Sequence, residues 1–142
     1  MKTLSYLIIF LSLATSVFAF EGNRWFYDTW DGNTVAAVVK PYKMRAFGVH
    51  ENELGIMAFF NAEYERVNAH KMHIKVDDNK EFSILGIDMD GTFMGLLEEV
   101  ELRQLMYGEQ VRVIISLEGN RQMVETFSLD GSLEAIQKIG SK

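Results

Sequence analysis

Val111-Arg112-Val113-Ile114-Ile115-Ser116-Leu117, then Glu118-Gly119-Asn120-Arg121, then Gln122 to Leu129, is the stretch on which the reading of the whole chain turns. The first segment is rich in β-branched residues, the second breaks it, and the third resumes an extended pattern, so the run predicts strand, turn, strand. Asp130-Gly131-Ser132 then opens Leu133-Glu134-Ala135-Ile136-Gln137-Lys138-Ile139, which Gly140 ends. Leu129, Leu133, Ile136 and Ile139 recur at helical spacing. A helix starting near Ser132 would lay that apolar stripe onto the hairpin.

The hairpin register depends on which side chains it would pair. An odd loop, Gly119-Asn120-Arg121, sets Leu117 opposite Met123, Val113 opposite Phe127 and Val111 opposite Leu129. An even loop would set Phe127 against Arg112, so the odd loop is preferred, although it places Glu125 beside Ile115.

Upstream, Leu96 to Tyr107 has helical spacing, with Leu102, Leu105 and Met106 as its apolar face and Gly108 as its stop. Glu98, Glu99 and Glu101 fall in its first turns, where the helix dipole favours negative charge, and need no ligand. Before it, Met72 to Asp77 alternates with Met72, Ile74 and Val76 inward, Asp78-Asn79-Lys80 turns, Glu81 to Ile87 returns, and Thr92-Phe93-Met94 is a short extended piece. Ala62 to Lys71 is polar and stays open between a loop and a single helical turn.

Met44 to His50 and Glu53 to Asn61 read as two strands separated by Glu51-Asn52. In the second, apolar residues occupy both parities, so it should be buried on both faces and lie centrally. Trp25 to Trp30 and Thr34 to Val39 read as the first hairpin around Asp31-Gly32-Asn33, closed by Pro41. If the first of these is extended, Trp25 and Tyr27 point one way while Phe26 and Trp30 point the other. The plain reading is a buried strand; the sharper one is an aromatic binding surface.

The N-terminus supplies an address. Lys2, the apolar run Leu4 to Leu13 and the small residues Val17 and Ala19 form a signal-peptide pattern with cleavage expected after Ala19. The apolar run is shorter than the roughly 20 residues that span a bilayer. The expectation is therefore residues 1–19 as a signal peptide and 20–142 as one exported, periplasmic or secreted domain without a later membrane span. The chain has no cysteine, which excludes thiolate-metal sites and disulfides. Losing Lys2 makes the formal charge one unit more negative than −6, which argues against nucleic acid or anionic lipid as a partner.

Three patterns are candidates for chemistry. Asp88-Met89-Asp90-Gly91-Thr92 resembles the nucleophile motif of the haloacid dehalogenase phosphatases, which would make Asp88 the nucleophile, Asp90 the acid/base and magnesium the cofactor. The chain beyond Thr92 reads as helix, hairpin and helix without a later acidic pair, so a plain turn at Asp90-Gly91 is the better account. A calcium-loop reading fails because the glycine is in the wrong position and the flanks are extended. His70 and His73 would suit a metal only on a shared helical face, whereas a strand from Met72 to Val76 puts them on opposite faces or off the strand altogether; surface histidines are the simpler account. His50 is isolated. No catalytic, cofactor or metal residue emerges.

The order of features is similar to the invasion-associated locus B family of exported bacterial proteins: an early Trp-rich strand, a hairpin carrying Val76-Asp77, a helix ending in Tyr107-Gly108, the Val111-Arg112-Val113 strand, and a closing Ser128-Leu129-x-Gly131-x-x-x-Ala135. Members commonly carry cysteines and often an aromatic where this chain has Ser132. The resemblance implies a β-rich envelope domain without established catalytic residues. The expectations are then a mainly β (α+β) domain, an antiparallel β-sandwich or curved sheet with two short helices closing its end. Its expected function is non-catalytic binding of another envelope or secreted protein. An inhibitor or immunity protein for an envelope-targeted enzyme, and a magnesium-dependent phosphohydrolase using Asp88 and Asp90, are the alternatives.

Overall fold

The computed structural model describes residues 24–30, 33–40, 42–62, 66–89 and 91–140. The expected cleavage after Ala19, the tip of the first turn at Asp31-Gly32, Pro41 and Asp90 lie outside these residues. Nine strands form one antiparallel sheet: β1 (Phe26–Trp30), β2 (Asn33–Lys40), β3 (Arg45–Asn52), β4 (Gly55–Ala62), β5 (Val67–Val76), β6 (Phe82–Met89), β7 (Thr92–Leu96), β8 (Gln110–Leu117) and β9 (Arg121–Ser128). Helix α1 (Glu99–Tyr107) lies between β7 and β8, and α2 (Ser132–Gly140) comes after β9. The spatial order is β1-β2-β3-β4-β7-β6-β5-β8-β9.

The sheet curls so that its two ends face each other. Phe47 of β3 stacks on Phe127 of β9 with ring centroids 5.8 Å apart, and Trp25, just before β1, meets Phe47 edge-on at 6.1 Å. The Trp25 amide donates to the Asp130 carbonyl at 2.9 Å and its indole Nε1 to the Ser128 carbonyl at 2.8 Å. The curved-sheet alternative is thus the one observed. Its concave side encloses one cluster drawn from β2 to β9 and both helices, including Val38, Phe60, Ile74, Leu105, Phe127 and Ile139.

A second cluster lies on the opposite, outer side of the first strands: Val35, Ala37, Val39, Ala46, Phe59 and Met94, with Phe26 and Met57 against it. Alternation along each strand requires this. In β2, Ala36 and Val38 enter the inner cluster and their neighbours the outer one. The double-sided burial expected for β4 is present, and that strand is fourth in the sheet order, beside the middle one. The aromatic start also resolves into core: Trp25 is buried and Tyr27 packs on the inner cluster, while Phe26 packs on the outer.

Close approach in the middle of the sheet depends on paired glycines. Gly86 faces Gly95 across β6 and β7. A Cβ on Gly86 would sit 2.8 Å from the Phe93 ring, and one on Gly95 2.6 Å from Ile84 Cγ2, so the missing side chains are the space that Phe93 and Ile84 fill.

Several sequence expectations are corrected. The last hairpin has an odd loop, but it is Glu118-Gly119-Asn120, and the register is shifted by two: Val111 faces Phe127, Val113 faces Glu125 and Ile115 faces Met123. Asn120 and Gly119 both adopt positive φ, so the turn closes one residue earlier than the apolar pairing suggested. Strand β5 begins at Val67, inside the stretch left open, and the β3–β4 turn is Glu53-Leu54 rather than Glu51-Asn52. Gly108 ends α1 in an extended conformation, with its amide donating to Gln104 O. Its glycine is needed for packing, because a Cβ there would lie 2.3 Å from Val76 Cγ1.

Helix α2 packs on β1, β2 and α1, with β3 beyond, rather than on the β8–β9 hairpin. Curling brings the first hairpin over the helix, and the Ser132 hydroxyl donates to Leu105 O at 2.7 Å, fastening α2 to α1. Ala135, Ile136 and Ile139 are buried while Leu133 is half-buried, so Ala135 takes the place expected for Leu133.

Candidate functional site

The residues that looked most like chemistry are accounted for by local structure. Asp88 is exposed at the end of β6, and its Oδ1 accepts the Gly91 amide at 2.9 Å, which holds the hairpin turn into β7. Strands β6 and β7 are antiparallel neighbours. Glu98 and Glu101 form a reciprocal capping box at the start of α1, and Glu99 pairs with Arg103 at 2.9 Å one turn on. His50 is buried beside Phe59, and its Nε2 has no hydrogen-bond partner among the described residues. Burial pulls its pKa below the usual histidine value, against a hydrogen bond with the Glu51 backbone that pushes it up.

His70 and His73 are not on opposite faces. The ladder from β5 to β8 slips between Val67 and Met72, and both His70 and Lys71 are exposed in succession. That bulge returns His73 to the same outer side, and the two histidines line one shallow depression with Lys71, Ile114, Ser116 and Gln122. His73 Nδ1 is bonded to Ser83 Oγ at 2.9 Å and lies 3.8 Å from Glu81. Among the described residues no group of three or more His, Asp or Glu could hold a metal, and no helix is long and apolar enough to cross a membrane.

A buried ionic knot joins the sheet ends instead. Glu125 of β9 points into the interior between Lys40 and Arg45, which both bond its carboxylate, with Lys43 at 3.5 Å. Burial pushes this carboxyl up, but the bonds from Lys40 and Arg45 and the nearby charges outweigh it and hold it below its usual range. Lys40 also sits 5.4 Å from the centre of the Phe127 ring. This arrangement holds β9 over the β2–β3 turn. Its carboxylate is saturated by cations, so its place is structural.

What remains is a surface. Leu85, Ile87 and Met89 alternate along β6 with their side chains outward, and Leu96 faces Leu85's side of the sheet from β7. Leu85 is 73% exposed and Ile87 57%. Leu54, at the β3–β4 turn, is 75% exposed as well. Met94, opposite Ile87, belongs to the buried outer cluster, so the ridge continues an apolar face into solvent. Sequence reasoning missed it. The signal was present in Ile84-Leu85-Gly86-Ile87, where apolar residues occupy both parities of the returning strand.

The closing Ser128-Leu129-x-Gly131-x-x-x-Ala135 pattern has a geometric role at the seam. Ser128 Oγ accepts the Asp130 amide at 3.0 Å, and Leu129 is buried. Gly131 has φ +82°, with Trp25 O 3.3 Å from where a Cβ would be, and Ala135 buries against the core one turn into α2. An open, curled antiparallel sheet with its seam closed in this way and two helices at its end defines the structural class. No protein-family sequence model matches the chain, and no curated protein sequence does. Its fold is similar to that in the crystal structure of invasion-associated protein B from Bartonella henselae, with a TM-score of 0.60 over 83% of this chain and 92% of that one, at 11% identity. At that identity the likeness concerns the fold alone.

Proposed function

We propose that this is an exported bacterial envelope or periplasmic protein, a non-catalytic module that binds another protein through the outer face of β6 and β7. The observation that carries the reading is the exposed ridge of Leu85, Ile87, Met89 and Leu96. An apolar strip of this kind, adjoining a buried apolar cluster, favours removal from water by a partner. The signal-peptide pattern at residues 1–19 supports the envelope setting, and the fold likeness to a bacterial invasion-associated protein supports a bacterial one. An inhibitor with an acidic contact surface fits this face less well, because cations border the ridge.

Three measurements test it. Intact mass of the exported protein is expected to give an N-terminus at Phe20, and retention of residues 1–19 would overturn the export reading. A photo-crosslinker placed at Ile87 in living cells is expected to give a discrete adduct that the same group at Gln137, on the exposed side of α2, does not. No adduct from Ile87 would remove the binding role. Magnesium-dependent hydrolysis of a phosphate ester that is lost in Asp88→Asn would replace the module with an enzyme.

A further inference from the structure

The outer face beside the ridge has the opposite sign from the protein as a whole. Acidic residues outnumber basic ones by 20 to 14 in the chain, yet no outward-facing strand position in β5 to β9 carries a carboxylate. Glu125 points inward, and Asp88 has the inward parity of Ile84. The outward charged positions are instead Lys71, Lys75 and Arg112, with His70 and His73 among them.

The placement of these cations is specific. Lys71 lies directly opposite Leu85, so the basic strip abuts the ridge. Lys75 lies directly opposite Arg112 in the β5–β8 ladder, a like-charge pairing that works against the sheet unless an anion occupies the site. Among the described residues none of the three forms an ion pair, and Glu81 lies near His73 rather than near any of them. On the far side of the strip, Ile114 pairs with Val124, which is 54% exposed. The face therefore reads apolar, basic, apolar across neighbouring strands about 5 Å apart.

Resting on the binding reading above, we propose that the partner presents an acidic, apolar polypeptide segment. Its leucine-like side chains cover the Leu85–Ile87 ridge and its carboxylates meet Lys71 and the Lys75–Arg112 pair. Charge complementarity of this kind speeds encounter and selects partners more than it adds affinity. It also answers how an acidic protein attracts an acidic partner: the net charge is repulsive at long range, but screening beyond about 10 Å leaves the local strip to decide the contact. The alternative occupant, an anionic bilayer, offers the same charge without discrete carboxylates spaced along a chain.

The test uses the purified protein and three probes: a labelled peptide of alternating glutamate and leucine, its lysine–leucine counterpart, and vesicles of phosphatidylcholine with phosphatidylglycerol. The glutamate peptide is expected to bind at least about tenfold tighter than the lysine peptide and to weaken as salt rises. The combined Lys71→Glu, Lys75→Glu, Arg112→Glu variant is expected to reverse that preference with an unchanged melting temperature. The corresponding glutamine variant keeps the comparison open if charge reversal prevents folding; it is expected to abolish the preference. Equal binding of the two peptides, or binding to the vesicles alone, would overturn the proposal. In the crosslinking experiment, an adduct lost on Leu85→Ser with Ile87→Ser, crosslinked from Leu96, but unaffected by charge reversal would remove the acidic partner and leave the module. Absence of any adduct would remove both.

Discussion

Strands β2 to β4 and strands β5, β6, β8 and β9 belong to one sheet but answer different demands. The first group is buried on both sides, with the inner core below and the cluster around Val35, Ala37 and Phe59 above. Its sequence shows the consequence as runs such as Val35-Ala36-Ala37-Val38-Val39 without a polar alternate. The second group buries one side only, and β8 alternates buried and exposed almost without exception. The difference teaches where function can reside. A strand closed on both faces has no surface to present, so the proposed binding face falls to the half of the sheet whose outer side is open.

The two halves differ only if the outer cluster is a true core. Phe127→Ala, inside the curl, is expected to cost roughly 3–5 kcal/mol in urea unfolding, and Phe59→Ala on the outer side a similar amount, since both rings are fully buried. A cost under about 1 kcal/mol for Phe59 would dissolve the distinction between halves. Leu133→Ala, half-buried on α2, is expected to cost about 1 kcal/mol; equality with Phe127 would mean that α2 packs by a different stripe.

The seam comes next in size. Glu125→Ala strands Lys40 and Arg45 without their carboxylate and is expected to cost about 3 kcal/mol. Its pH signature has a definite sign. The folded pKa of Glu125 lies below its unfolded value of 4.5, so its contribution is complete above that value and is lost as pH falls through the folded pKa. The folded pKa of His50 lies below 6.5, so the unfolded chain takes up that proton first. Stability should fall as pH drops below about 6.5, then fall again below about 4.5, and His50→Phe should remove only the upper phase. Thermal melts across pH 3 to 8 would read both, and an upper phase retained in His50→Phe would assign it to another group. The smallest effect sharpens the comparison from the open side: Ile87→Ser is expected to change stability by less than about 0.5 kcal/mol while losing the crosslinked partner.

Much of the fold was legible because alternation and turn residues are local signals. The first hairpin, the β5–β6 turn and the strand–turn–strand–helix run from Val111 to Ile139 all appear as read, within a residue or two at their ends. Features that depend on distant partners were not legible. Glu125 looked like an awkward neighbour in a hairpin because its cations lie 80 and 85 residues away. The start of β5 stayed open between a loop and a helical turn because the bulge puts His70 and Lys71 outward in succession and breaks the period of two. The destination of α2 depended on how far the sheet curls, which no helical stripe encodes. The ridge was visible as letters but ambiguous, since an outward apolar side chain carries the same signal whether another layer of the chain covers it or not.

The clip at Trp25 also sets the order in which the molecule can be made. Its indole bonds Ser128, 103 residues later, and its amide bonds Asp130. These contacts, with the Phe47–Phe127 stack, cannot form until the last strand has left the ribosome. A topology whose closing pairings join the first strand to the last folds slowly, because the longest loop must be closed before its contacts can reward the closure. Closure around Trp25 is therefore a late step of folding, so deleting the indole should slow refolding more than deleting an equally buried ring within one hairpin.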